Sequence, residues 1–207
     1  MSCLTETTSN KYIKFLDTNG TCVINPSEYI SIYLGLSKRT TTSHAKKIAK
    51  VMYNASMKKE DGVTIFYLLN LIYNKKGDNH VTCLSFTKTE DEKGSLEFFD
   101  PNGELVVTTK KKKGYTPDDN LMNIFKEIEN EMTKTYGIST TKTELLRGSG
   151  SLNNEGTGNC NTITLFYISL RSENKFSDFE DKFTISYLTM KKIKKLNKTI
   201  TMKEMMK

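Results

Sequence analysis

Two apolar runs dominate the hydrophobic pattern of the chain. Gly62-Val-Thr-Ile-Phe-Tyr-Leu-Leu-Asn-Leu-Ile-Tyr73 is too apolar and too rich in β-branched and aromatic residues for a surface element. It predicts a central strand, although periodicity alone also allows a buried helix. In the second run, Ile163, Leu165, Phe166, Tyr167, Ile168 and Leu170 leave almost no polar face, so a helix there is buried nearly all round. Between the runs the pattern alternates. His80-Val-Thr-Cys-Leu-Ser-Phe-Thr87 and Ser95-Leu-Glu-Phe-Phe99 read as strands, and the charged, glycine-bearing stretch 88–94 joins them into an antiparallel pair. Asp100-Pro-Asn-Gly103 ends that pair, and further strands are expected at Leu105–Thr109 and Thr140–Leu146.

Helical periodicity is clearest after Thr116-Pro-Asp-Asp119. A cap, a proline at the first position and acids in the first turn precede an apolar stripe of Leu121, Ile124, Phe125, Ile128 and Met132, and Gly137 stops it. A second, basic helix covers Thr41–Ala55, with Ile48, Val51 and Met52 inward and Lys46, Lys47 and Lys50 outward. Ahead of it, Lys11–Asp17 and Thr21–Ile24 read as short strands around the Thr18-Asn-Gly20 turn. A helix opening at Pro26 runs through Ile32 and Tyr33 to Gly35. Phe176–Met190 reads as a helix or helix–strand piece, and Lys191–Lys207 as a basic, methionine-bearing tail.

These elements predict an α+β fold: a central mixed or antiparallel sheet flanked by helices, with Cys160 at the start of a buried one. No repeat or linker divides the chain. The expected organisation is a single domain over 1–190, with a core at about 62–171, a largely helical extension at about 1–61, and the tail at 191–207.

Composition narrows the function. The 207 residues carry a formal net charge of +7, and no apolar run approaches the roughly 20 residues a membrane-spanning helix needs. The polar N-terminus resembles neither a signal nor a transit peptide. Cys3, Cys22, Cys83 and Cys160 form no CxxC pair, so they are expected to be reduced thiols in an intracellular compartment, with no disulfide frame or zinc site. No metal or organic cofactor is expected. Only two histidines are present, His44 and His80, so any histidine base is one of them. His44 lies among lysines at the start of the basic helix and reads as a solvated surface residue.

Chemistry then centres on Cys160. The N-terminus of a buried helix carries free N–H groups and a partial positive charge, which favour a thiolate and activate sulfur. Taken alone, Cys160 reads more readily as a small buried residue at a helix start, so the argument depends on partners. In an antiparallel hairpin the start of the first strand and the end of the second lie side by side. Asp100 therefore comes within reach of His80, where a carboxylate can hold one imidazole nitrogen and leave the other to face a thiol. Asp100-Pro-Asn-Gly103 also suits a type I turn without any chemistry. Cys83 is rejected as the nucleophile because residues 80 and 83 point to opposite faces of a strand.

His80 at a strand start, Leu96-Glu-Phe-Phe-Asp100-Pro-Asn-Gly, and Gly158-Asn-Cys160 entering an apolar helix together resemble the ubiquitin-like-protein protease superfamily. That group comprises the SUMO-deconjugating enzymes, the adenovirus-type proteases and relatives in other large DNA viruses. The order histidine, acid, cysteine matches over about residues 62–171. The resemblance implies a cysteine endopeptidase or isopeptidase that cuts after small residues, often glycine. It implies Cys160 as nucleophile, His80 as base and Asp100 as its orienter. The family places an oxyanion-hole glutamine about six residues before the cysteine; here Asn154 stands there, with Asn153 beside it, and asparagine is one methylene shorter. Val81 and Asn161 follow the histidine and cysteine where SUMO-type enzymes have tryptophan and glycine, which leans towards a divergent viral-type member. Implied substrates are viral precursor proteins or ubiquitin-like conjugates.

Two other readings stay open. An acetyltransferase of related fold uses the same triad with coenzyme A, and would draw on Lys110–Lys113 to hold it. A non-enzymatic reading takes the lysine runs, above all Lys191-Lys-Ile-Lys-Lys195, as a nucleic-acid surface. No aromatics interleave with those lysines, so a solubilising tail with weak DNA contact is the milder expectation.

Overall fold

The computed structural model describes residues 13, 14, 16, 21–24, 32, 33, 38–72, 79–90, 92–101, 117–147 and 160–172. Expectations for 105–109, 153–154 and 176–207 fall outside them. The described elements are β1 (Cys22–Ile24), β2 (Ile32–Tyr33), α1 (Lys38–Ser56), β3 (Thr64–Ile72), β4 (Asn79–Thr89), β5 (Lys93–Asp100), α2 (Pro117–Tyr136), β6 (Ser139–Arg147) and α3 (Cys160–Ser172). The fold is α+β, with one mixed sheet flanked by helices.

The strands run β1-β3-β4-β5-β6, and β2 also pairs with β3. β1 and β2 are parallel to β3, β3 to β5 form an antiparallel meander, and β6 lies parallel to β5. A parallel neighbour needs a crossover, and α2 occupies the connection from β5 to β6. Gly137, at φ +70°, ends α2 in the left-handed region that glycine enters without a steric penalty. Ile138 then donates its N–H to the Met132 carbonyl at 3.1 Å.

Both faces of the sheet are covered, which is why β3 reads as a continuous apolar run. Strand alternation sorts the core in two. Tyr67, Leu69, Leu84, Phe86, Leu96 and Phe98 pack with Ile48 and Met52 of α1 and Ile124, Phe125, Ile128 and Met132 of α2. Phe66, Leu68, Cys83 and Phe99 face the other way, against Ile163, Leu165, Tyr167 and Ile168 of α3. Burying an aromatic or aliphatic side chain of this size contributes roughly 1.5–3 kcal/mol.

Two N-terminal expectations are corrected. Residues 13, 14 and 16 are helical, not extended, and Ile13 and Leu16, three positions apart, are buried beside the α3 cluster. Ile32 and Tyr33 form strand β2 where a helix was expected; pairing with Leu71 and Ile72 outweighs the helical spacing of so short a segment.

Candidate functional site

α3 starts at Cys160, where the polar glycine-bearing loop gives way to apolar sequence. Cys160 is 8% exposed and stands on a stripe with Thr164, Tyr167 and Arg171, at spacings of four, three and four. Each of the other three makes a polar contact with the sheet. Thr164 Oγ1 donates to the Val81 carbonyl at 3.1 Å. The Tyr167 hydroxyl lies 3.1 Å from Ser85 Oγ and donates to Glu97 Oε2 at 3.4 Å. Arg171 grips the same carboxylate twice, Nη2 to Oε1 at 2.6 Å and Nε to Oε2 at 3.2 Å. The Tyr167 ring stacks on Phe99, centroids 4.2 Å apart and planes 6° from parallel, with the Phe66 ring edge-on at 6.3 Å.

These contacts fix where Cys160 is. α3 runs beside β4 in the same direction, Thr164 at Val81 and Tyr167 at Ser85. Cys160 lies one turn before Thr164, about 6 Å along the axis, a distance that spans about two residues of strand. It is therefore level with positions 79 and 80, at the end of the sheet where β4 begins. β5 ends at the same place, because Phe99 pairs with Cys83 and one further step sets Asp100 opposite Thr82. Position 80 follows by two residues on the same pleat row as Thr82. Residues diagonally related in this way have Cα atoms about 7–8 Å apart. Position 80 is itself paired with Leu71 of β3.

The pleat adds something the sequence did not reveal. Rows 80-82-84 and 98-100 belong to the face that α1 and α2 cover, whereas α3 covers the other. Positions 80 and 100 and Cys160 thus share one end of the sheet, not one face. β4 runs on past the last β4–β5 pair, leaving a step where β5 stops, and Pro101 is buried there. Asn153 and Asn154 lie outside the described residues.

Cys83 belongs to the α3 face and is fully buried, its S–H donating to the Leu84 carbonyl at 3.3 Å. Burial, with Glu97 adding, pushes its thiol far above the usual range. It is chemically quiet at neutral pH. Burial likewise pushes the Tyr167 phenol up. His44 is half-buried in α1, not solvated, and its Nδ1 is buried with no hydrogen-bond partner; the packing of Ala45 and Ile48 against α2 draws that face of the helix inward. The Glu97–Arg171 pair went unread in the sequence, although Glu97 is the lone charge among Leu96, Phe98 and Phe99, and Arg171 the only one on α3.

Among the described residues no three His, Cys, Asp or Glu side chains cluster as a metal site, and no helix is long and apolar enough to cross a membrane. A pocket of about 350 Å³ lined by Cys22, Ile24, Val51, Asn54, Lys58 and Lys59 opens between β1 and α1. Cys22 pairs with Ile65, towards the opposite end of β3 from Leu71 and position 80, so this pocket is separate from the Cys160 end.

No family model matches the sequence, and no curated protein matches it. The fold does have solved counterparts. A crystal structure of the Legionella pneumophila effector protein RavZ superposes with a TM-score of 0.58 at 14% identity, covering 96% of this chain. A second RavZ structure gives 0.55, again at 14% identity over 96% of this chain. The chain spans 63% and 64% of those two structures, so it matches part of RavZ, and what it shares with that part is the fold.

Proposed function

We propose that this chain is a cysteine peptidase or isopeptidase that cuts after a C-terminal glycine of a ubiquitin-like protein. One observation carries the reading: a cysteine opens a buried helix at the sheet end where β4 begins at residue 79 and β5 ends at residue 100. The step where β5 stops gives a group from the α3 side and one from the opposite face a place to meet around the strand edge.

His80 takes the Cys160 proton, and the thiolate sulfur bonds to the scissile carbonyl carbon. The oxyanion is received by the Cys160 backbone N–H and by Asn154 or Asn153. The C–N bond breaks as the imidazolium returns its proton to the departing amine, leaving a thioester. Water, deprotonated by His80, then adds to the thioester; the acid leaves and the thiol is restored. Asp100 holds His80 in the tautomer this cycle needs. Among the fold neighbours, RavZ has been crystallised in complex with human LC3B, and a ubiquitin-like protein is the substrate to test first.

The experiment offers the chain two reagents in parallel: a ubiquitin-like protein ending in glycine propargylamide, and acetyl-coenzyme A. The expected result is a vinyl thioether on Cys160 from the first, absent in Cys160→Ala and His80→Ala. Acetylation of Cys160 with no adduct from the alkyne would replace the peptidase with a transferase. Inertness to both would remove the enzymatic reading.

A further inference from the structure

The Glu97–Arg171 pair, its carboxylate buried and its guanidinium half-buried, has no place in the chemistry above, yet Arg171 lies on the same helix stripe as the nucleophile. Glu97 is 5% exposed, in the middle of β5, and both its oxygens are engaged by Arg171 at the far end of α3. A buried ion pair is a poor stabiliser, because apolar residues of similar volume often do as well. What it supplies is direction. Ile163, Leu165 and Ile168 pack against the sheet without fixing how far α3 slides or turns, since apolar contact is not directional. The Thr164–Val81, Tyr167–Ser85 and Arg171–Glu97 contacts are directional, and they span seven residues, about 10 Å of helix axis. All are on the Cys160 stripe.

We infer that Glu97 and Arg171 are positioning residues: through Tyr167 and Ser85 they set the axial register of α3 against β4 and β5, and so hold Cys160 level with His80. This rests on the peptidase reading and adds a specific means of preorganisation to it. A displacement of a reacting atom by about 1 Å can cost on the order of a hundredfold in rate, so loss of register should appear in the chemical step and not in binding of the ubiquitin-like protein.

The test compares Arg171→Met, the charge-free double variant Glu97→Leu/Arg171→Met, and Glu97→Gln. Each is assayed by urea unfolding and by inactivation kinetics with the glycine propargylamide probe, which separate binding (KI) from reaction at sulfur (kinact). Arg171→Met strands a buried carboxylate, and its unfolding midpoint should fall by about 1–2 M urea. The double variant should recover most of that loss and keep the wild-type KI, yet react at least about tenfold more slowly. Should it fail to fold, Glu97→Gln, which keeps the side-chain shape, should show the same selective loss of kinact. A folded variant without the pair that reacts at the wild-type kinact would overturn the positioning role alone and leave the peptidase standing. A wild-type chain inert to the probe would take down both.

Discussion

Replacing Tyr67 by phenylalanine should make the protein more resistant to alkali while leaving its neutral stability nearly unchanged. Tyr67 lies in the central strand β3, 1% exposed, on the face packed by α1 and α2. Burial raises its phenol from 10.0 to about 12. Because the native value is the higher one, the neutral phenol's contribution is intact below pH 10 and is lost as pH rises through 12. At pH 11 about nine-tenths of the unfolded phenol is ionised against about a tenth of the native one, a penalty of about 1.4 kcal/mol. Tyr67→Phe removes that penalty. Cys83 and Tyr167, whose ionisation is also opposed by burial, are present in both proteins and cancel in the comparison. The assay is urea unfolding of wild type and variant at pH 7.5 and pH 11. The variant should gain about 1.4 kcal/mol relative to wild type between the two. A difference that stays the same at both pH values would mean that the Tyr67 hydroxyl titrates as if in water, and the packing of α1 and α2 over β3 would be wrong.

Two further substitutions probe the elements that carry the site. In Gly94→Ala the new Cβ would meet Phe86 Cε2 at 2.5 Å and Cζ at 2.9 Å, with the Thr87 carbonyl oxygen at 3.2 Å. Phe86 is fully buried, so its ring has to shift against a packed core and the β4–β5 hairpin should lose about 1–3 kcal/mol, read as a lower urea midpoint. Tyr167→Phe keeps the ring stack on Phe99 but removes the hydroxyl from Ser85 and Glu97, while Arg171 still engages the carboxylate. With Ser85 left short of a partner, unfolding should cost about 1–2 kcal/mol less; an unchanged midpoint would mean that the hydroxyl is not buried against the sheet.

The parts of the fold that were legible in sequence are those whose signal is local and redundant. β3 is apolar throughout, α2 has its cap, proline, acidic turn, stripe and terminal glycine, and β4 and β5 alternate on either side of a charged turn. Each agrees with its neighbours about which face is buried. Residues 13, 14, 16, 32 and 33 misled because a few residues carry no usable period, and their state is set by what they pack or pair with: the α3 cluster for Ile13 and Leu16, strand β3 for Ile32 and Tyr33. His44 was misjudged from its lysine neighbours, although the helix turns it partly inward. At the candidate site, the placing of positions 80 and 100 at one end of the β4–β5 hairpin followed from hairpin logic. The site's division between two faces did not, because that depends on which side of the sheet α3 docks. The Glu97–Arg171 pair joins residues 74 positions apart, and nothing in the local pattern of either ties the two together.

The most direct test of the central claim is the alkylation of Cys160 by iodoacetamide at pH 6.5, mapped peptide by peptide in the wild type and in His80→Ala. A thiol paired with an imidazole at a helix start is partly thiolate at this pH, whereas an ordinary thiol is almost wholly protonated. The expected result is that Cys160 reacts at least about tenfold faster than Cys22, and that His80→Ala abolishes the difference while Cys22 and the unreactive Cys83 keep their rates. A Cys160 that reacts no faster than Cys22, and that is indifferent to the loss of His80, would contradict the claim that this helix delivers a nucleophile to a base at the end of the sheet.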